Sequence, residues 1–384
     1  MRQGSMAQLV SWSSCAMGRV KTVIHPNGSD IGQDITDHAE NGVRIDDILG
    51  QGKKSFEVTT AADLLKITPK PVDWIVEDLV AKGVKTVIGG MTGANKSYFV
   101  MEMAVRIACG IGEFMGHAIK KDYSVLYVNL EISNDEVNRR IQKIISNLHV
   151  THEGLQNLHI NVFDNETFDD VWEKIGNTVE KVKPQLLIVD NLYASTNVNL
   201  SRNDEIKKLL RRIDNVVTEN DISLILVAHF NKSMGETELS LERMQGASSL
   251  QNWIEFGILL GRSSVNTEYR LMRIVKSRIS NASHHHFLLQ WSNDTHLFTK
   301  KGIVENPSVH FLPVNKLGQY KEALDEMDDR FDTMRFLNVV ENQFNLTRRT
   351  GDRWIADLLT AGLIKKEKQG LFKKTDLEII KDES

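Results

Sequence analysis

Cysteine is scarce in this chain, and long apolar runs are missing. The two cysteines, Cys15 and Cys109, do not form a Cys-x-x-Cys motif. This excludes a disulfide framework and a zinc site built on cysteine, so we expect a protein of the reducing cytoplasm. The longest apolar runs, such as 186–189 and 224–228, are far too short to cross a bilayer. Residues 1–18 lack the continuous apolar segment of a secretory signal, and no membrane partner is expected.

A strong excess of charge is also absent. The formal net charge is −4, so any contact with nucleic acid must come from local basic patches. Hydrophobic residues make up 41% and charged residues 26% of the chain, as in soluble globular proteins. The 384 residues are enough for about two or three domains.

Composition and the pattern of apolar residues divide the chain into four segments: 1–68, 69–298, 299–330 and 331–384. The first is polar and broken by glycine and asparagine, with one predicted strand at Val20–Ile24. The second alternates short apolar runs with amphipathic stretches, which is typical of an α/β fold with a mainly parallel sheet. The third holds Pro307, Pro313 and an acidic cluster, and is predicted to be a linker. The fourth is predicted to be a small helical unit that ends in a hairpin.

The second segment contains six predicted strands: Thr86–Ile88, Val125–Leu130, Leu186–Asp190, Leu224–His229, Phe256–Leu260 and Tyr269–Lys276. Four helices are predicted between them: Ser97–Cys109, Asn134–Leu148, Phe168–Lys181 and Asn203–Thr218. The third and fourth strands are almost continuously apolar, which indicates burial on both faces.

The most specific motif lies between the first predicted strand and the first helix, and it reads Gly90, Met91, Thr92, Gly93, Ala94, Asn95, Lys96, Ser97. It has the spacing of a phosphate-binding P-loop, except that Asn95 replaces the second glycine. Backbone N–H groups at a helix start favour phosphates, Lys96 would neutralise the β- and γ-phosphates, and the Ser97 hydroxyl would bind Mg²⁺. Asparagine tolerates left-handed backbone angles, so the loop can keep its shape. We expect ATP and Mg²⁺ to bind here, with contacts extending to Tyr98; the alternative is a strand–helix turn with a surface lysine.

Two predicted strands end in acidic residues. Asp190 closes an apolar strand and would hold the Mg²⁺ ion or its water, although strands often end in aspartate at a turn. Glu131 follows another strand, predicted to lie next to the P-loop strand, and could polarise the water that attacks the γ-phosphate. The alternative for Glu131 is an acid near the start of the next helix. His229 ends a further strand and could sense the γ-phosphate, although a lone histidine is more often structural.

Together these residues resemble the RecA-like ATPase domain of RepA/DnaB-type replicative helicases, over about residues 69–298. Further similarity lies in the lead-in Pro71–Leu79 with Gly83, and in the segments Leu130–Ser133, Ala228–His229 and Gly246–Ser249. The resemblance implies that Glu131 is the catalytic base and that the chain assembles into a hexamer. It also implies that Lys276 and Arg278 reach the ATP of a neighbouring subunit, as an arginine finger does. The alternative for this pair is an exposed basic strand end.

Segments outside the ATPase region have resemblances of their own. Gly32–Asp37 looks like the tail of a toprim primase domain, but the rest of that domain is absent and no primase activity is expected. The C-terminal segment resembles a winged helix. Between Asn345 and Lys374 it has eight Lys or Arg against three Asp or Glu, an excess of five positive charges. This excess suggests binding to duplex origin DNA, with a protein-docking winged helix as the alternative.

The function predicted from these features is an ATP-dependent DNA helicase, a ring-shaped motor on single-stranded DNA that replicates a plasmid, phage or mobile element. The loops Tyr193–Asp204 and Asn231–Gln245 would face the central channel and bind the strand. One alternative is an ATP-switched initiator that binds an origin without unwinding it, and another is a RecA/KaiC-like ATPase. The consecutive histidines His284–His286 lie in a strand-like stretch whose neighbours point to opposite faces, which argues against a metal site.

Overall fold

The computed structural model describes residues 10–15, 18–23, 58–150, 152–162, 171–197, 202–229, 239–243, 247–375 and 380–381. Contacts divide the chain into Met1–Lys70 and Pro71–Ser384. In the first unit, strands β1 (Val10–Cys15) and β2 (Gly18–Val23) pair antiparallel, and a short helix α1 spans Ala61–Leu64. The strand predicted at Val20–Ile24 is therefore confirmed. The toprim-like segment 32–37 lies outside the described residues.

The second unit begins with small strands and the first half of the large sheet: β3 (Trp74–Val76), β4 (Val80–Ala81), β5 (Lys85–Gly90), α2 (Lys96–Cys109), β6 (Glu113–Phe114), β7 (His117–Ala118), β8 (Val125–Asn129), α3 (Asn134–Leu148) and β9 (Leu158–Val162). The sheet continues with α4 (Val171–Val182), β10 (Leu186–Asp190), α5 (Asn203–Glu219), β11 (Ser223–His229), α6 (Ala247–Trp253), β12 (Phe256–Arg262), β13 (Tyr269–Ser277), β14 (His286–Trp291) and β15 (Phe298–Val304). The six strands and four helices predicted from the sequence are confirmed to within a few residues at their ends.

The large sheet has ten strands in the order β19-β15-β14-β13-β12-β5-β11-β10-β8-β9, where β19 is Ile380–Lys381. The six strands from β12 to β9 run parallel, and the other four pair antiparallel. Alternate side chains on the parallel strands enter opposite cores: Ile188 packs with α2 and α3, and Val189 packs with α4 and α5. The continuous apolar runs thus reflect burial on both faces.

The order of the strands corrects one prediction. β8, which precedes Glu131, does not lie next to the P-loop strand β5, because β11 and β10 lie between them. Sequence order does not fix spatial order in a sheet whose helical crossovers pass over neighbouring strands. The carboxyl ends of β5, β11, β10 and β8 nevertheless meet at one edge of the sheet, since all four run parallel.

The linker predicted at 299–330 is wrong. This segment contains most of β15, a 3₁₀ turn at Pro307–Phe311 and helix α7 (Val314–Asp325). The prolines begin the turn and precede the helix, where a missing N–H costs little. The segment also supplies spaced apolar residues to a third core: Val309, Leu317, Tyr320, Ala323 and Leu324.

The remaining elements complete this third core: β16 (Arg330–Asp332), α8 (Thr333–Phe344), α9 (Arg348–Thr360), β17 (Ile364–Lys368) and β18 (Leu371–Lys374). The strands form a separate sheet in the order β16-β18-β17. Phe336, Trp354 and Phe372 bring the two helices and the hairpin together. Within the described part of the chain, no helix combines the length and apolar content needed to cross a membrane.

Candidate nucleotide-binding site

The P-loop lies at the carboxyl edge of the parallel sheet, where β5 passes into α2. Gly90 pairs with Leu260 of β12, and a Cβ at Gly90 would overlap the carbonyl oxygen of Leu260. Gly93 and Asn95 both adopt left-handed backbone angles, with φ of 79° and 62°. Asparagine tolerates this region better than most residues, so the loop accommodates the substitution of glycine by Asn95.

Lys96 is folded back onto the loop. Its ammonium Nζ donates to the carbonyl oxygens of Gly90 and Met91, both at 2.9 Å, and lies 3.2 Å from Nδ1 of His229. Only 5% of the residue is exposed. Burial lowers the pKa of Lys96 to about 8, against the opposing influence of the Asp190 and Glu131 carboxylates. The cation is thus held beside the loop by weak acceptors that a phosphate oxygen can replace.

Asp190 ends β10 at the same edge and is almost fully buried, with 1% exposed. Its Oδ2 accepts a hydrogen bond of 2.8 Å from the Tyr127 hydroxyl, whereas Oδ1 has no hydrogen-bond partner in the described part of the protein. Burial raises the pKa of Asp190, while hydrogen bonds from Ser97 and Tyr127 act in the opposite direction. The unpaired Oδ1 of Asp190 and the Ser97 hydroxyl, which interacts with this carboxylate, are oxygen ligands of the kind that Mg²⁺ prefers, so the residues fit this ion.

Glu131 and His229 are joined by a residue that the sequence did not single out. The side-chain Nδ2 of Asn191 donates to Oε2 of Glu131 at 2.5 Å and lies 3.2 Å from Nε2 of His229. The Asn191 Oδ1 accepts from the backbone N–H of Ala194 at 3.0 Å, which fixes the orientation of the amide. Asn191 directly follows Asp190, but a polar residue after a strand is common at turns, so the sequence offered little signal. The structure brings Lys96, Asp190, Glu131 and His229 together.

Three other predicted nucleotide-binding residues, Met91, Ala94 and Tyr98, pack against the protein interior. Ala94 is fully buried and Met91 is nearly so, in the two cores on either side of the sheet. Tyr98 packs against Trp291 and His296, with ring centroids 5.4 and 4.7 Å apart. The guanidinium of Arg140 lies 4.4 Å from the centre of the Tyr98 ring. Tyr98 therefore anchors the first turn of α2 next to the loop.

Lys276 and Arg278 are not part of this cluster. Lys276 lies near the end of β13 and pairs with Gly257, at the start of β12, whereas Gly90 pairs with Leu260 farther along the same strand. The two cations thus lie toward the amino edge of the parallel strands, opposite their own P-loop. Lys276 donates to the carbonyl of Gln251, and Arg278 donates to that of Asn252 at 2.9 Å. They bind the last carbonyls of α6, where positive charge is favourable.

Two comparisons with known proteins find similarities, and a third finds none. A family model described as an AAA domain matches residues 53–235. Among solved structures, the chain is similar to a KaiC-like protein from the hyperthermophilic archaeon Pyrococcus horikoshii OT3, at 15% identity and a TM-score of 0.45, over 61% of this chain and 99% of that one. A search of curated proteins finds no match.

Residues 53–235 thus match the AAA domain model, and residues 90–97 lie between a parallel strand and a helix, as a P-loop does. The predicted α/β fold with a mainly parallel sheet is confirmed, whereas the assignment as a RecA-like ATPase stays a prediction. The assignment as a helicase stays a prediction.

The lowered pKa of Lys96 leads to a testable consequence. A bound triphosphate raises this pKa, so above about pH 8 the complex holds more protons than the free protein. Nucleotide binding should take up protons at pH 8 to 9, and affinity should fall as the pH rises through this range. Calorimetry in buffers of different ionisation enthalpy measures the uptake. Any binding that Lys96→Met retains should show no such uptake, and equal uptake per bound nucleotide in the variant and the wild type would contradict the assignment.

Proposed function

We propose that this protein hydrolyses ATP as a ring-shaped DNA helicase that moves on single-stranded DNA. The observation that carries the proposal is that the charged residues of the predicted site lie at two opposite edges of the sheet within one chain. Lys96, Asp190 and Glu131 meet at one edge of the sheet, whereas Lys276 and Arg278 lie toward the other. A site that needs all five residues is complete only when a second subunit supplies the two distant cations.

The chemistry proposed for the site is direct attack of water on the γ-phosphorus. Glu131, whose side chain is 47% exposed, accepts a proton from the water as the new P–O bond forms. The bond from the γ-phosphorus to the bridging oxygen breaks, and ADP and phosphate leave. Lys96 binds the β- and γ-phosphate oxygens, and His229 contacts the γ-phosphate. Mg²⁺, held by Ser97 and Asp190, would neutralise phosphate charge.

Asn191 links the proposed base to the proposed sensor. One amide group contacts both Glu131 and His229, so loss of the γ-phosphate next to His229 changes the surroundings of Glu131. The loops after β10 and β11 emerge from the same edge of the sheet, and we propose that they bind the DNA strand. Most of the second loop, at 230–238 and 244–246, lies outside the described residues.

The proposal predicts ATP turnover that single-stranded DNA stimulates. Lys96→Ala should lose nucleotide binding. Glu131→Gln should keep binding but lower kcat by about 100-fold or more, because it removes the base. Lys181→Ala, on the exposed face of α4, is the matched control and should behave as wild type. Turnover indifferent to DNA would contradict a motor, and DNA assembly without strand displacement would support the origin-binding initiator instead.

A shared site predicts complementation between inactive variants. Lys96→Ala retains Lys276 and Arg278, whereas the double variant Lys276→Ala/Arg278→Ala retains the P-loop. Each should be inactive alone, and a mixture should regain ATPase activity because some sites combine an intact P-loop with intact cations. Steady-state ATPase rates at varied mixing ratios measure this. A mixture as inactive as its components, although the subunits exchange, would contradict the shared site.

We propose further that α7 to β18 form a winged helix that binds duplex origin DNA. The order helix, strand, two helices and hairpin supports this assignment, with α9 as the helix that enters the major groove. Lys365, Lys366 and Lys368 are exposed on β17, where a wing can reach phosphates.

The winged-helix proposal predicts a salt effect. Lys365→Ala/Lys366→Ala should weaken duplex binding and reduce the slope of log affinity against log salt by about one per lysine that contacts a phosphate. Fluorescence anisotropy over a range of salt concentrations measures the slope, with Lys181→Ala as the control. An unchanged slope would favour a unit that docks onto protein.

A further inference from the structure

Two arginines from the β12–β13 hairpin lie against the P-loop. Arg262 and Arg270 are cross-strand partners, so two like charges lie side by side. The side chain of Arg262 lies over Gly93: its Cδ and Nη1 are 3.3 and 3.4 Å from where a Cβ on that glycine would lie. Like charges on facing residues of a β-ladder destabilise it, so this pair needs a physical explanation.

Arg270 is the more unusual of the two, because it is buried with only 5% exposed. Its Nη1 donates to the carbonyls of Thr267 and Tyr269 at 2.7 and 2.8 Å. Its Nε has no hydrogen-bond partner in the described part of the chain. Burial, together with the charge of Arg262, lowers the pKa of Arg270 to about 10.

Among the residues that the structure describes, no carboxylate forms an ion pair with Arg270. A buried charge is costly unless it is paired, and the carbonyl dipoles around Arg270 compensate only part of that cost. A polyphosphate bound in the loop next to Arg270 would supply a negative charge.

Arg270 contacts that loop through the residue that departs from the usual motif. Its Nη2 donates to Oδ1 of Asn95 at 3.2 Å. Asn95 makes no side-chain bond to its own helix, although it holds the N-cap position with φ of 62°. A glycine at this position has no side chain to accept the hydrogen bond. The contact between the loop and the buried arginine therefore depends on the asparagine that replaces the usual glycine.

We propose that Arg270 is a positioning residue for polyphosphate binding: it holds the P-loop through Asn95, and the bound nucleotide supplies the negative charge that its buried guanidinium lacks. The proposal rests on nucleotide binding at this loop, as proposed above. Removing Arg270 then has opposite effects on the two states. The free protein loses a charge that is only partly compensated, whereas the complex loses a favourable charge interaction and the contact that holds the loop.

The test is a double-mutant cycle on the full chain with Arg270→Gln, Asn95→Gly and both together. Affinity is measured with a fluorescent ATP analogue in Mg²⁺, and thermal unfolding is followed without nucleotide. Arg270→Gln should weaken binding by about tenfold or more, the value of a hydrogen bond to a charged group. The melting temperature of the free protein should stay the same or rise. Asn95→Gly should also weaken binding, and the double variant should be no worse than Arg270→Gln alone.

Arg273→Gln is the matched control, since Arg273 lies on the same strand and donates to Leu239 and His284 carbonyls away from the loop. It should leave affinity unchanged. Three outcomes would overturn the inference about Arg270 without touching the proposed function. They are an unchanged affinity in Arg270→Gln, a loss of affinity that parallels a lower melting temperature, and additive effects of the two substitutions in the cycle. A wild-type protein that does not bind the analogue would overturn the proposed function as well.

Discussion

The buried ammonium group of Lys96 is the constraint on which the site depends. Removing this charge from water is costly, and the fold compensates with two loop carbonyls, the imidazole of His229 and the nearby carboxylates of Asp190 and Glu131. These groups come from four parts of the sequence. They can surround one atom only because β5, β8, β10 and β11 run parallel and end at the same edge of the sheet.

The same edge gathers positive charge from the hairpin at which the parallel part of the sheet meets the antiparallel part. The hairpin of β12 and β13 brings Arg262 and Arg270 against the loop that carries Lys96. Three cations around one loop form an arrangement that an anion completes. On the acidic side, Asn191 joins Glu131 to His229, so the groups that would respond to the γ-phosphate and to water share one amide.

The sequence predicts the parts of this site that depend on local patterns. The start of α3 matches the prediction, because the Ser133 hydroxyl accepts a hydrogen bond from the backbone N–H of Glu136 and caps the helix. The P-loop follows from the spacing of its glycines, Lys96 and Ser97, and the strand ends at Asp190 and His229 follow from apolar runs that stop at polar residues. These patterns also predicted the α/β fold with its mainly parallel sheet.

Features that depend on distant contacts could not be read in this way. The separation of β8 from β5 follows from strand pairing, which apolar runs do not specify. The segment 299–330 resembles a linker because its prolines and acids are conspicuous, although Leu317 and Tyr320 recur at helical spacing and are buried. Arg270 looks like an exposed strand residue until the loop against it is known. Asn191 gave no signal beyond its position after Asp190.

A crystal structure with Mg²⁺ and a non-hydrolysable ATP analogue tests the central claim most directly. The account predicts that Nζ of Lys96 leaves the carbonyls of Gly90 and Met91 and binds phosphate oxygens, with the metal ion between Ser97 and Asp190. An analogue bound elsewhere, with Lys96 still on the two carbonyls, would contradict it.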